Sequence, residues 1–479
     1  MTAYQTTVGV EVHVELTTRS KMFCPCRNAP QDLGENQAAC PVCLGLPGAL
    51  PSVNREALRL GLVAALALNC RVNPRLWFER KNYIYPDLVK GYQISQYAMP
   101  LGEDGWLTIP GDSGEEKRVD ILRVHLEEDT AKLIHANGET LVDVNRSGAP
   151  LMEIVTRPVL SSGREAEEYV RKLRAVLVYH GVSRCRIQLG EMRVEANVSI
   201  APPGATELGI RTEIKNQAGF NHMRGAIEYE VRRHAEVLDS GGRIRQETRG
   251  WDDANQKTFV QRSKEDAHDY RYFPEPDLPP VVLPANWVEE ERSRLPEPYD
   301  QYLASLARHG VSPADRDALS RNDALSFLAA AARPEPESTP RLVKRLVTDV
   351  FGIINATGVR LEAAKLDPEN FRQAVSLQTA GRISAAGLRT LLEKLYREGG
   401  EAGPDAARLG LLLEDDSAAV LTAVETAIAA SPGMLAEFRA GKVAVRNALL
   451  GKTMKALKAG GKTVDPRQVG EVLDRALQS

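Results

Sequence analysis

No apolar run in these 479 residues reaches membrane-spanning length, and the opening Met1-Thr2-Ala3-Tyr4-Gln5 has no basic stretch followed by an apolar core. A cytoplasmic protein without a membrane partner is the expectation. Charge of one sign is also missing, since 61 Lys and Arg stand against 64 Asp and Glu for a formal net charge of -3. A uniformly basic surface is excluded, so any nucleic acid has to be gripped by local patches. Nucleophile motifs are absent as well: there is no GxSxG elbow and no Cys/His glutaminase arrangement. If the chain uses ammonia, another subunit has to make it. Gly451-Lys452-Thr453 and Gly461-Lys462-Thr463 imitate the end of a phosphate-binding loop, but the earlier glycine is replaced by Arg446 in one and Ala456 in the other.

Cysteine is scarce, and its placement is uneven. Four of the six lie within twenty residues as Cys24-Pro25-Cys26 and Cys40-Pro41-Val42-Cys43, with thirteen residues between the pairs. A secreted disulfide framework does not look like this. Two close thiolate pairs suit a tetrahedral, structural zinc; a redox pair or unmetallated thiols are the alternatives. Cys70 and Cys185 stand alone and read as packed thiols.

What the chain does have is a strict alternation at its start, Gly9-Val10-Glu11-Val12-His13-Val14-Glu15-Leu16. A strand with valines behind places Glu11, His13 and Glu15 on one face. That face is either wetted surface or one wall of a divalent-cation site. Two further acidic clusters sit at strand ends. His125, Glu127, Glu128, Asp129 and Lys132 follow Val119 to Val124, and Val142 to Ile154 carries Asp143 and Glu153 around a Gly/Pro turn. Each alone reads as surface charge, but three together favour magnesium and, through it, nucleotide chemistry. Phosphates would need cations, which Arg80 to Gln96 offers in Lys81 and Lys90 beside Tyr83, Tyr85 and Tyr92; a packed tyrosine loop is the plainer reading. The turn Asp269 to Asp277 is expected to wall the same cleft.

The length suggests two to four domains. Strands are expected at Val119 to Glu127, Leu141 to Asn145, Met152 to Val155, Cys185 to Leu189 and Val194 to Ile200, and helices at Ala57 to Leu68, Arg164 to His180 and Phe220 to Leu238. The fold class is therefore α+β: a largely antiparallel sheet domain over 1–293 containing the knuckle at 24–43, an all-α domain over 294–400, and a small helical tail over 401–479. Helices at Tyr299 to His309, Ala324 to Ala332 and Leu342 to Ile354 precede a hinge-like break at Arg397 to Pro404. From Phe438 onward nine Lys or Arg face three Asp or Glu, and Lys452, Lys455, Lys458 and Lys462 form either an RNA-backbone patch or a solvated helix face.

Six ordered segments carry a resemblance: Gly9 to Leu16, Arg80 to Gln96, His125 to Lys132, Val142 to Ile154, Gly190 to Asn197 and Asp269 to Asp277. Together the chain resembles, nearly end to end, the GatB/GatE family of aminoacyl-tRNA amidotransferase subunits. The resemblance implies a cradle-shaped catalytic domain, a helical domain and a tRNA-binding tail. It implies that ATP phosphorylates the side-chain carboxylate of Glu or Asp misattached to tRNA, giving Gln-tRNA(Gln) or Asn-tRNA(Asn) once ammonia displaces the phosphate. A scaffold that merely holds tRNA is the alternative. Ammonia would come from an amidase subunit, GatA, with a small subunit, GatC, completing a heterotrimer. Carried onto this chain, Glu11, His13, Glu128 and Glu153 would hold Mg2+, with Glu127 a near competitor and Glu15 doubtful. Lys81, Tyr83 and Lys90 would meet ATP or the acyl phosphate, and Cys24, Cys26, Cys40 and Cys43 match the zinc knuckle of some members. Asn447 in place of an aromatic and Val89 in place of a proline depart from the family pattern.

Overall fold

The computed structural model describes residues 4–28, 33–136, 138–215, 219–263, 270–413, 417–439, 442, 444–460 and 464–478. Two compact units, Met1–Tyr299 and Asp300–Ser479, divide the chain.

In the first unit the alternating segment forms β1 (Gln5–Glu15), the middle strand of a nine-stranded sheet. Its partners are β2 (Arg71–Val72), β3 (Gly102–Pro110), β4 (Glu116–Glu128), β5 (Pro150–Thr156), β6 (Met192–Ala201), β7 (Thr212–Lys215), β8 (Glu247–Asp252) and β9 (Lys257–Ser263), in the spatial order β9-β8-β7-β6-β1-β5-β4-β3-β2. Every pairing is antiparallel except β7 with β8. The expected α+β architecture is thus present.

One face of the sheet is apolar because Val10, Val12 and Val14 on β1 lie level with Val124 and Leu126 on β4, Met152 and Ile154 on β5, and Val194, Ala196 and Val198 on β6, all buried. Against it pack α1 (Arg55–Ala67), α2 (Gly163–Tyr179) and α3 (Phe220–Asp239). Asn54 caps α1 by accepting from the amides of Glu56 and Ala57, and Ser162 caps α2 by accepting from that of Glu165. At Gly61, α1 runs so close to the sheet that an added Cβ would stand 2.9 Å from Leu126 Cδ2. Burying these side chains supplies most of the drive to fold the unit, at roughly 1.5–3 kcal/mol each. Because that face is committed to the core, the opposite face is left for the ionisable residues.

Two sequence expectations need correction. Cys185 to Leu189 is not a strand: Cys185 has a left-handed backbone (φ 49), Ile187–Leu189 form a single 3-10 turn, and Gly190 closes it at φ 74. The turn winds around Glu191, whose carboxylate accepts from Arg184 Nε at 3.1 Å and Arg186 Nε at 2.8 Å. Leu342 to Ile354 is helical but not uniform, since a π segment at Leu346–Val350 joins Thr339–Arg345 to Phe351–Thr357. There Asp349 is buried and pairs with Arg345 and Arg389.

Every regular element among the described residues of the second unit is a helix, apart from one isolated bridge between Ile383 and Leu412. At the glycine-rich break, Gly399 and Gly400 take positive φ, Lys394 donates to the carbonyl of Gly399 (2.7 Å) and to Asp405 (2.6 Å), and the helix Ala402–Arg408 packs on Pro368–Thr379 and Ala385–Glu398. A separate apolar cluster, including Val420, Val424, Leu449, Leu457, Val469 and Leu473, holds the last helices together.

Candidate active site and cysteine centre

Register on the side of the sheet opposite the apolar core face brings the ionisable residues together. On β1, His13 lies opposite Glu153 of β5 and Arg193 of β6; Glu153 in turn lies opposite His125 of β4; and Glu11 lies opposite Glu195. His13 Nε2 stands 3.4 Å from Glu153 Oε2 and 3.6 Å from Glu127 Oε1, while His125 Nε2 stands 3.1 Å from Glu153 Oε2. Ligand atoms of His13, Glu127 and Glu153 all lie within 4.8 Å of one another. Two buried carboxylates and one imidazole, converging with His13 still partly open to solvent, fit a divalent cation of the magnesium type.

Electrostatics bind the group tightly. Burial on its own would drive His13 toward neutrality, but Glu153 and then Glu127 outweigh it and lift its pKa to about 9. Glu153 is held well below the ordinary carboxylate range: burial opposes this, and His125 and His13 override it. Glu127 is lowered in the same way against burial, chiefly through the hydrogen bond from His125. Lys81 remains a cation despite burial because Glu127 favours its charge; its amino group lies over the Tyr270 ring, 5.0 Å from the centroid. Tyr83 meets Tyr270 edge-on, and Tyr97 stacks on Tyr272. The segment Tyr270 to Asp277 therefore does border this face through Tyr270 and Tyr272; Asp269 lies outside the described residues.

Of the residues singled out in the sequence, His13 and Glu153 meet, joined by Glu127 rather than Glu128. Pleat alternation accounts for the exchange, since Glu127 shares a face with His125 whereas Glu128 follows Val124 and Leu126 to the other. Glu128 accepts instead from the Lys90 ammonium and from the backbone amide of Ile94, at 2.9 Å for the latter. Lys90 is thereby engaged away from the histidine and carboxylate cluster. Glu11 is one pleat along β1 and accepts from Asn197 Nδ2 at 2.8 Å; burial, then Glu153 and Glu195, raise its pKa. Glu15 is raised to about 7 by burial and then by Glu191, and lies further along the strand. His125, which sequence reasoning placed in the second acidic cluster without assigning it a role, joins the site as well; its spacing of two from Glu127 is the signal that could have found it.

Cys24, Cys26, Cys40 and Cys43 converge as expected from their spacing, with all four sulfur atoms within 4.8 Å of one another. Cys40 N donates to Cys43 Sγ at 3.2 Å, and the two sulfurs are 3.8 Å apart. Four thiols in this packing fit tetrahedral zinc. A hydrogen bond from Cys24 draws the Cys43 thiol toward thiolate. Cys24, Cys43, Phe23, Lys90 and Glu128 line a cavity of about 160 Å³.

The family model described as the GatB/GatE catalytic domain matches residues 6–289, and one described as the GatB domain matches 327–477. The chain belongs to the GatB/GatE family. Proteins named as the B subunit of aspartyl/glutamyl-tRNA(Asn/Gln) amidotransferase are similar over their whole length: that of Moorella thermoacetica is 42% identical over 99% of this chain and 100% of its own, and that of Carboxydothermus hydrogenoformans 40% over 99% and 98%. The first family match spans every residue of the cluster and of the cysteine centre, and the second spans the basic tail. In that tail Lys452, Lys455 and Lys458 are exposed on the helix Val445–Ala459, Lys452 donating to Ser431 Oγ at 3.0 Å; Lys462 lies outside the described residues.

Proposed function

We propose that this chain is the subunit of an aminoacyl-tRNA amidotransferase that activates the side-chain carboxylate of Glu or Asp misattached to tRNA. ATP phosphorylates that carboxylate, and ammonia then displaces the phosphate to give Gln-tRNA(Gln) or Asn-tRNA(Asn). A free carboxylate is a poor acyl donor to ammonia, and phosphorylation gives it a leaving group. The observation that carries this reading is the cluster of partly open His13 with buried Glu127 and Glu153 beside Lys81, in a chain of the GatB/GatE family.

His13, Glu127 and Glu153 are the residues that would hold Mg2+, with Glu11 in the adjacent position. Such an ion, when bound, neutralises phosphate charge. Lys81 supplies a fixed positive charge over the same face and orients the transferred phosphoryl group. His125 holds Glu153 in place through its 3.1 Å contact. Tyr83, Tyr270 and Tyr272 wall the cleft and limit water access to the acyl phosphate. A zinc ion held by the four cysteines would stabilise the knuckle structurally. Exposed Lys452, Lys455 and Lys458 would track the tRNA backbone. The absence of a recognisable glutaminase motif supports a partner amidase, GatA, as the source of ammonia, with GatC as the third subunit.

The test uses the complex with its partner subunits, mischarged tRNA, ATP and ammonium. Glu127→Gln should lower amidation by about two to three orders of magnitude, the scale of losing a group that stabilises charge in the transition state, while tRNA affinity stays at the wild-type value. Normal amidation by Glu127→Gln would leave the chain a scaffold that holds tRNA, with catalysis elsewhere.

A further inference from the structure

Lys21 is the most unusual charged residue of the first unit outside the sheet face. It is 0% exposed, and among the described residues it pairs with no carboxylate. Lysine is almost never buried in this way without an anion. Its ammonium donates to three acceptors: the carbonyl of Ala38 at 2.6 Å, the carbonyl of Val144 at 3.4 Å, and Cys43 Sγ at 3.7 Å. Two of these are neutral. The charge can be balanced at Cys43, and only when that sulfur is a thiolate, as it is when it ligates a metal.

Four thiolates around one Zn2+ carry a net charge of -2, which is costly to keep in a partly buried site. A buried ammonium at hydrogen-bond distance from one sulfur halves that charge and orients the ligand. The other two hydrogen bonds have a mechanical consequence. Ala38 belongs to the knuckle loop, whereas Val144 opens the turn that leads into β5 and Glu153. The same two segments are stitched by Asn145, whose Oδ1 accepts from Ala38 N at 2.7 Å and whose Nδ2 donates to Gly34 O at 2.8 Å. At Gly148, with φ +83, a Cβ would lie 3.4 Å from Cys43 Cβ and 3.5 Å from Lys21 Cδ, ordinary van der Waals distances, so the turn borders both residues.

Resting on the zinc reading of the four cysteines, we propose that Lys21 is the counter-cation of the thiolate centre and the pin that ties that centre to the 143–148 turn. Lys21 is a positioning residue: it acts on the metal through Cys43 and on Glu153 through the turn.

The test follows metal retention in the full-length chain. In the zinc-loaded protein, Lys21→Met should release zinc to a chromophoric chelator about 10- to 100-fold faster than wild type, the range found for partners that hydrogen-bond to metal ligands. In the cobalt-substituted protein the thiolate-to-metal absorption band should move to lower energy, because a sulfur without its charged donor is more electron-rich. A purely packing role would leave that band in place. A third measurement needs no variant: acylation of lysines in wild type should spare Lys21 while zinc is bound and modify it after chelation. Unchanged zinc release with an unmoved band in Lys21→Met, or a Lys21 that stays protected after zinc is removed, overturns the proposal. Wild type purified without zinc overturns the metal reading and the proposal with it, so the two failures are distinguishable.

Discussion

At the scale of single residues, His13 carries a consequence that depends on pH. Its pKa in the metal-free fold is about 9, against about 6.5 for a free imidazole. A raised value means the folded state holds the proton more tightly than the unfolded chain. The stabilisation is complete below about pH 6.5 and is lost as the pH rises through 9. Thermal unfolding of metal-free protein should therefore show a falling Tm over that window, and His13→Asn should flatten the fall. Proton and Mg2+ compete for the same ring, so magnesium affinity should rise over the same range with close to one proton released per ion bound. Calorimetry in buffers of different ionisation enthalpy measures that proton, and an affinity independent of pH would contradict His13 as a ligand. Parity explains why Glu127 was harder to read than His13. Val10, Val12 and Val14 flank His13 on both sides and fix its face, whereas Glu127 and Glu128 lie at a strand end, where the family resemblance pointed to Glu128. Counting back to buried Val124 and Leu126 places Glu127 with His13.

At the scale of elements, the sheet serves the site by giving one whole face to the core. Leu126 sits on the buried face of β4 one residue before Glu127 and meets α1 near Gly61. Leu126→Ala should cost about 2–5 kcal/mol by opening a cavity between helix and sheet. Denaturant unfolding gives that number directly, and a loss below about 1 kcal/mol would mean α1 does not hold β4 as described. Gly148 is a second element-level dependency, because a left-handed turn there faces Cys43. Gly148→Ala should cost roughly 1–3 kcal/mol through its positive φ and loosen zinc, measured by chelator competition alongside thermal unfolding; retention of both would contradict a dependence of the cysteine centre on this turn. Sheet and helices were legible in the sequence because strand alternation and helical periodicity are local. The Cys185 to Leu189 turn was not, because its conformation comes from Arg184 and Arg186 converging on Glu191, a contact that no periodicity encodes.

At the scale of the whole molecule, the proposed chemistry and the proposed tRNA contact fall in different units of the chain. The near-neutral net charge of -3 confines any grip on nucleic acid to local patches, and the Val445–Ala459 helix is the one proposed here. Reversing Lys455 and Lys458 to Glu together should lower tRNA affinity and reduce the slope of log K against log salt by roughly 1.4–1.8, two phosphate contacts' worth. Filter binding over a salt series reads this; an unchanged slope removes the helix from the interface. The cysteine spacing announced the knuckle, whereas Lys21 gave no sign, since a lone lysine acquires its role only when the chain brings residues 38, 43 and 144 around it.

In the proposed reaction the substrate carboxylate is phosphorylated before ammonia attacks. Mischarged tRNA carrying 18O in the Glu or Asp side-chain carboxylate, incubated with ATP, ammonium and the assembled complex, tests it by mass analysis of the released phosphate. One 18O should appear in phosphate for each amide formed by the wild type, and no label above background with Glu127→Gln. Amide formation that leaves the phosphate unlabelled would contradict it.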